Sequence, residues 1–326
     1  MWVKAGSAVA TPITVSVGAQ AASVFRHLPL VIAQQLDFFA PEGIEVTVQA
    51  CASDALALQA MHSGSVDVCA VDFEQILRHA HTSAAAAQCF VVQGRAAQLA
   101  LGVSMRALPR FKALSDLRGH RVGVCALGTQ SHTVACLALV QGGVEPDAVT
   151  FVAVGDGERA TAALRAGRVQ ALCHGDPLMT LLEQRGDLRI VGDARTLSGA
   201  QALFGGSVPG GCLVAPAAFL QKRAAAAQSL AHGIVHALKW LQTAGPADLV
   251  KALPSSSVGK ERSLFLSAFA RARETLSPDG LMPIDGPTKA LRALVLAEPD
   301  MAMAQHDLAR TFALDFAQKA KLKFSA

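Results

Sequence analysis

ALALQAMHSGSVDVCAVD at residues 55–72 and ATAALRAGRVQALCHGD at residues 160–176 are one phrase written twice. In each, an Ala/Leu-rich helix runs into a glycine, Gly64 or Gly167, and a short apolar strand follows. A glycine there fits a helix closed by a left-handed C-terminal residue. Upstream of the first phrase lie an alternating apolar segment, Ile13 to Val17, a helical stretch ending in FFAPEGIEV, and a second strand at Ile44 to Val48. Upstream of the second lie HRVGVCALG, His120 to Gly128, and then QGGVEPDAVTFVAV. Gly43, Ile44 and Glu45 answer Gly143, Val144 and Glu145, and Val66 answers Val169. Strands alternating with helices predict an α/β chain with parallel sheets and right-handed crossovers. The repetition predicts two such units facing one another across a ligand-holding cleft.

The composition agrees with two cores. At 326 residues and 52% hydrophobic content the chain has material for two ordinary domains and is not a disordered protein. Aromatics make up 5%, with no Tyr, and a net charge of +4 is spread along the chain, so a base-stacking nucleic-acid surface is not expected. The one basic cluster, Lys319, Lys321 and Lys323, sits at an expected helix C-terminus, where the dipole favours cations. The most apolar stretch, Ala84 to Val103, is interrupted by Gln88, Gln93, Arg95 and Gln98 and falls short of the roughly 20 apolar residues of a spanning helix. A soluble protein is expected. Residues 1–11 read as a flexible N-terminus, and Ala8, Val9 and Ala10 have the A-x-A form of a signal-peptidase site without an apolar h-region, as in a trimmed export precursor. The seven cysteines, at 51, 69, 89, 125, 136, 173 and 212, show no C-x-x-C pair and read as buried free thiols.

In open α/β sheets the ligand lies beyond the carboxyl ends of the strands. After the first strand, GAQAASVFRHLP offers Gln20, Phe25, Arg26 and His27. After the second, Ser53 or Asp54 begins a helix, and after the third come Asp72 and Phe73. In the second half the matching positions carry Thr129, Gln130, Ser131 and His132, then Asp156 with Glu158, then His174, Asp176 and Pro177. A helix N-terminus with hydroxyls attracts anions, so LGTQSHT facing CASDAL would suit a sulfonate, nitrate, carboxylate or phosphate. Ser53, Thr129 and Ser131 also serve as ordinary helix caps.

Catalytic motifs are weaker. HGIVH, His232 to His236, puts two imidazoles at metal-binding spacing but lacks the Glu of H-E-x-x-H and belongs to an amphipathic helix with Phe219, Leu230, Ile234, Leu238 and Leu241 as its apolar row. HAH, His79 to His81, reads as a helix end, and FGGSVPGG, Phe204 to Gly211, as a flexible segment. No G-x-S-x-G elbow and no tuned carboxylate pair is present. No cofactor, no metal and no catalytic residue is expected.

LPLVIAQQLDFFAPEGIEV, SGSVDVCAVD, LSDLRGHRVGV, GVEPDAVTFVAVGDG, LRAGRVQALCHGDP and LFGGSVPGGCLVA, in that order, resemble the solute-binding proteins of ABC importers, in the group handling sulfonates, nitrate, taurine and thiamine-pyrimidine precursors. SDLRGHRVGV, Ser115 to Val124, is the most telling piece, and SPDGLMPIDGPTKALRALV resembles the closing helical region of that group. The resemblance implies a type II periplasmic-binding-protein fold, two α/β lobes joined by a two-segment hinge. Lobe one would take residues 12–104 and 205–326 and lobe two 105–204, with crossings near Gly102 to Leu108 and Ala200 to Gly206. It also implies a monomeric periplasmic receptor for a small solute, docking on a membrane permease. The absence of Tyr departs from the alkanesulfonate binders, and only Phe25, Phe73 and Phe204 could stack a pyrimidine. That leaves a small anion or zwitterion, whose amino group Asp72, Asp156 or Asp176 could recognise. The alternative is a pyrimidine-precursor binder or a synthase-like enzyme with a reactive His27, His132, His174 or Cys173.

Overall fold

The computed structural model describes residues 10–18, 24–82, 87–259, 261–301 and 307–325. Its strands are β1 (Thr11–Gly18), β2 (Ile44–Cys51), β3 (Val68–Asp72), β4 (Ala87–Val92), β5 (Leu99–Ser104), β6 (Arg121–Val124), β7 (Thr150–Ala153), β8 (Ala171–Gly175), β9 (Leu188–Asp193) and β10 (Gly211–Pro216). They form two five-stranded sheets with the orders β2-β1-β3-β10-β4 and β7-β6-β8-β5-β9. Replacing β1, β2, β3, β4 and β10 by β6, β7, β8, β9 and β5 turns one order into the other, so the repeated phrases occupy equivalent places. β1 pairs in parallel with β2 and β3, and β6 in parallel with β7 and β8.

The sheets are nevertheless mixed, which corrects the expectation of parallel sheets. β10 runs antiparallel to β3 and β4, and β5 antiparallel to β8 and β9. Each antiparallel strand arrives from the other half of the chain. β5 belongs to the second sheet, so the first crossing occupies residues 93–98, ahead of the expected Gly102 to Leu108. The burial of both faces of β5 hid this boundary, because an apolar run reads alike in either lobe.

The helices are α1 (Leu28–Gln35), α2 (Asp54–His62), α3 (Phe73–Thr82), α4 (Gln130–Gln141), α5 (Gly157–Arg165), α6 (Leu178–Gln184), α7 (Leu197–Phe204), α8 (Ala217–Lys222), α9 (Ala224–Thr243), α10 (Pro246–Ala252), α11 (Ser255–Val258), α12 (Arg262–Ala272), α13 (Gly286–Ala297) and α14 (Asp315–Lys323). The duplicated phrases fold by duplicated local chemistry. Ser53 starts α2 by accepting from the Leu56 N–H at 3.2 Å, and Asp156 starts α5 by accepting from the Arg159 N–H at 3.1 Å. Both helices end with a left-handed glycine, Gly64 at φ 77° and Gly167 at φ 67°. The residue after each donates back to the helix, Ser65 to the Ala60 carbonyl and Arg168 to that of Ala163.

Apolar layers cover both faces of each sheet. In the first lobe, Leu30, Ile32, Leu230, Ile234 and Phe265 lie in one layer, and Leu58, Phe73, Leu77 and Leu291 in the other. In the second, Val134, Leu139 and Leu203 form one layer and Leu164, Met179 and Leu182 the other. The expected apolar row of α9 is buried, but Phe219 lies on the separate helix α8. Among the described residues no helix is long and apolar enough to cross a membrane.

Candidate functional site

The carboxyl ends of β1, β3 and β6 converge on a cavity of about 170 Å³ between the lobes. Arg26, Ser53, Asp54 and Asp72 line it from the first lobe, and Cys125, Thr129, Gln130 and Ser131 from the second. Gly18 sets the geometry at the end of β1. A Cβ there would stand 2.0 Å from Asp54 Oδ1 and 2.7 Å from the Asp54 nitrogen, so only glycine admits the start of α2 this close.

Arg26 is the centre of the cavity wall. Its Nη1 donates to Asp54 Oδ2 at 3.0 Å and to Asp72 Oδ2, while Nη2 donates to Asp54 Oδ1 at 3.1 Å. Burial works against a charge on Arg26, but Asp54 and Asp72 outweigh it and raise its pKa, so the guanidinium stays protonated. For Asp72 the balance differs. Burial pushes its carboxyl up to about 6, with Arg26 opposing and Asp54 reinforcing the rise. Asp72 Oδ1 is buried and has no hydrogen-bond partner among the described residues. One guanidinium therefore answers two carboxylates, and one carboxylate oxygen is left to accept.

The opposite wall is the N-terminus of α4. Thr129 has extended backbone but does not cap the helix with its side chain. Its Oγ1 instead donates to the Ala126 carbonyl at 2.7 Å and contacts Ser131 Oγ at 2.9 Å, while Ser131 Oγ accepts from the Cys125 N–H at 2.9 Å. The hydroxyls thus fix the loop and leave the positive end of the helix dipole facing the cavity. Gln75 Nε2 reaches the Gly128 carbonyl at 3.5 Å from the other lobe and narrows the mouth.

The remaining expected residues lie elsewhere. Gln20 falls outside the described residues. Phe25 is fully buried in the first lobe against Phe265 and Phe269, with ring centroids 5.3 and 5.8 Å away, and Phe73 is fully buried in the other layer of that lobe. Each is an aromatic beside a strand end whose ring is drawn inward, because burying its apolar surface outweighs exposure to a polar cleft. His27 accepts at Nδ1 from Gln93 Nε2 at 2.9 Å, and burial and then Arg26 hold its pKa well below the ordinary value, so it is a neutral packing residue. His132 presents its ring against Phe151 at 4.5 Å. Asp156 caps α5 and borders a second, wider cavity of about 800 Å³ with His174, Asp176 and Leu264.

Asp176 is held away from any solute in the smaller cavity. Its Oδ1 accepts from the Thr180 N–H at 2.9 Å, the Thr180 hydroxyl at 2.8 Å and Arg195 Nη1 at 3.2 Å. Arg195 is itself fully buried and also pairs with Asp193 and Glu183. Sequence reading missed this arginine, which follows β9 with no motif around it. Cys125 was missed as a site residue too, being read as one more apolar letter of VGVCALG, although its place one residue beyond β6 marked it as a strand-end group. The HGIVH histidines separate: His232 Nδ1 meets Glu42 at 2.7 Å, whereas His236 stacks between Phe38 and Phe324.

Residues 24–241 match the family model described as "NMT1/THI5 like". The chain belongs to the NMT1/THI5-like family. A solved protein from Bordetella bronchiseptica RB50 is 36% identical to this NMT1/THI5-like protein with a TM-score of 0.87, covering 97% of this chain and 98% of its own. The periplasmic aliphatic sulphonate binding protein SsuA from Escherichia coli is 16% identical with a TM-score of 0.71, over 93% of this chain and 92% of its own. The periplasmic nitrate-binding protein NrtA from Synechocystis PCC 6803 is 14% identical with a TM-score of 0.70, over 97% and 89%. The NMT1/THI5-like chain therefore has the type II periplasmic-binding-protein fold, as its residues resembled. Among curated proteins none matches it in sequence.

Proposed function

We propose that this NMT1/THI5-like protein is the exported solute-capturing component of an ABC import system, and that its solute is a small zwitterion of the aminosulfonate, taurine-like type. The observation that carries this reading is the opposition of two unlike walls across one small cavity. The α4 N-terminus attracts an anionic head, while Asp72 Oδ1, buried and without a hydrogen-bond partner among the described residues, accepts from a cationic N–H. A bare inorganic anion such as nitrate meets two carboxylates balanced by one guanidinium and gains little. The volume, about 170 Å³, is below the roughly 300 Å³ of the smallest drug-sized pockets and restricts the solute to a few heavy atoms.

The pyrimidine-precursor reading finds less support, because none of the described residues lining this cavity is aromatic. A receptor releases its solute unchanged to a permease, and closure of the lobes around the solute supplies the signal for docking.

Thermal unfolding of the purified chain with taurine, the matching alkanesulfonate without its amino group, nitrate and hydroxymethylpyrimidine tests the proposal. Taurine at a hundred times its dissociation constant adds about 2.7 kcal/mol and raises the midpoint by several degrees. The deaminated sulfonate has a smaller effect. Equal shifts from nitrate or the deaminated sulfonate, or a shift from the pyrimidine alone, would overturn it.

A further inference from the structure

We propose that the wider cavity, of about 800 Å³, is a second binding site, and that it takes a primary ammonium carried on an apolar aryl or alkyl body. α5 and the turn from β8 into α6 line it from the second lobe, and Val24 ahead of α1 and Leu264 on α12 line it from the first. The Val24 N–H donates to the Asp176 carbonyl at 3.2 Å and joins the two sides. The wide cavity shares no lining residue with the small one.

The polar chemistry of this wall is one-sided. His174 is 5% exposed and Asp176 2%, and each keeps a buried atom, Nε2 and Oδ2, with no hydrogen-bond partner among the described residues. His174 Nδ1 lies 3.3 Å from the Gly175 carbonyl, which can only accept, so in the neutral ring Nδ1 carries the proton and Nε2 accepts. Asp176 Oδ1 is engaged by Thr180 and Arg195, which leaves Oδ2 as the open acceptor. The donors of the wall are directed within the protein. Thr161 Oγ1 donates to the Gly157 carbonyl at 2.7 Å, and Arg165 pairs with Asp187 at 3.6 Å. The start of α5, where an anion would otherwise be favoured, already holds Asp156 as its cap and Glu158 in its first turn. Two buried acceptors under a carboxylate-rich rim call for a ligand that brings N–H donors and positive charge.

The rest of the wall is apolar and consists of Val24, Ala162, Pro177, Leu178, Leu181 and Leu264. The volume falls within the roughly 300–1,000 Å³ of small-molecule sites. A bare ammonium leaves these side chains uncovered, whereas an aryl or alkyl body buries them and adds apolar contact to the charge. The site stands whether or not the small cavity takes a zwitterion.

Phenethylamine is the probe, titrated into the full chain by calorimetry beside ethylamine, phenethyl alcohol and hydrocinnamate. Burial works against a charge on His174 and Cys125 favours one, with a net rise, so the titration is run at about pH 8.5, above the ordinary imidazole range and below that of an alkylamine. Phenethylamine binds about tenfold or more tightly than each of the other three. Asp176→Asn, which removes the charge from the open acceptor, weakens it about tenfold. Ala162→Arg, at an exposed position of α5 on the cavity wall, sets a cation against the ammonium and weakens it about fivefold, and it keeps the test decisive if Asp176→Asn does not fold. Asp72→Asn, in the small cavity, leaves the phenethylamine affinity unchanged, which separates this site from the taurine site. No binding at about 1 mM phenethylamine, equal binding of any of the three comparison compounds, an affinity unaltered by Ala162→Arg, or an affinity lost in Asp72→Asn would overturn the proposal.

Discussion

Thr133 Oγ1, on α4 of the second lobe, donates a 2.9 Å hydrogen bond to Glu74 Oε2, on α3 of the first. Arg78 joins the pair, donating to Thr133 at 3.2 Å and to Glu74 at 3.3 Å, and it also binds Glu298 at the end of α13. A polar knot thus ties both lobes together beside the interlobe cavity. Glu74 is buried, and burial pushes its carboxyl up to about 7, with Arg78 opposing.

The folded state therefore binds a proton on Glu74 that the unfolded chain releases near pH 4.5. Its contribution is present in full below that pH and is lost as pH rises through about 7. The span amounts to on the order of 3 kcal/mol. Thermal unfolding from pH 5 to 8 should show a falling midpoint for the wild type, and a flatter curve for Glu74→Gln, which keeps an acceptor for Thr133. An equal slope in both would exclude Glu74 as the source.

Arg26 is more strongly tied to stability than a surface arginine, because its removal leaves Asp54 and Asp72 facing each other in a closed space. Arg26→Ala is expected to cost about 3–5 kcal/mol in chemical denaturation. Arg26→Lys, which cannot hold both carboxylates in the same fork, recovers part of this.

Asp72 ties affinity to pH. Its carboxyl titrates near 6, so binding of a zwitterion should weaken as pH falls below that value and the acceptor is protonated. Calorimetric titration of taurine at pH 5 and 7.5 measures this. Asp72→Asn should lose roughly tenfold to a hundredfold in affinity at pH 7.5 and lose the pH dependence as well.

Gly18→Ala tests the close approach of β1 to α2. The added methyl meets the Asp54 backbone nitrogen as well as its carboxylate, so rotation of the side chain alone does not relieve the clash. A loss of about 1–3 kcal/mol in stability and weaker solute binding are expected, read by denaturation and calorimetry. Unchanged affinity would show that α2 can shift without disturbing Arg26.

Local patterns determined much of this protein. The repeated helix–glycine–strand phrase, the caps Ser53 and Asp156, the turn glycines Gly64 and Gly167, the strand end at Asp72 and the helix start at Thr129 depend on neighbours a few residues away, so periodicity and residue type suffice to read them. The exchange of β5 and β10 between the sheets, the inward rotation of Phe25 and Phe73 and the burial of Arg195 depend on partners tens of residues away. No local signal marks them. Whether an apolar or charged side chain faces a core or a cleft is settled by which surfaces the two lobes bring together, and only the tertiary structure decides that.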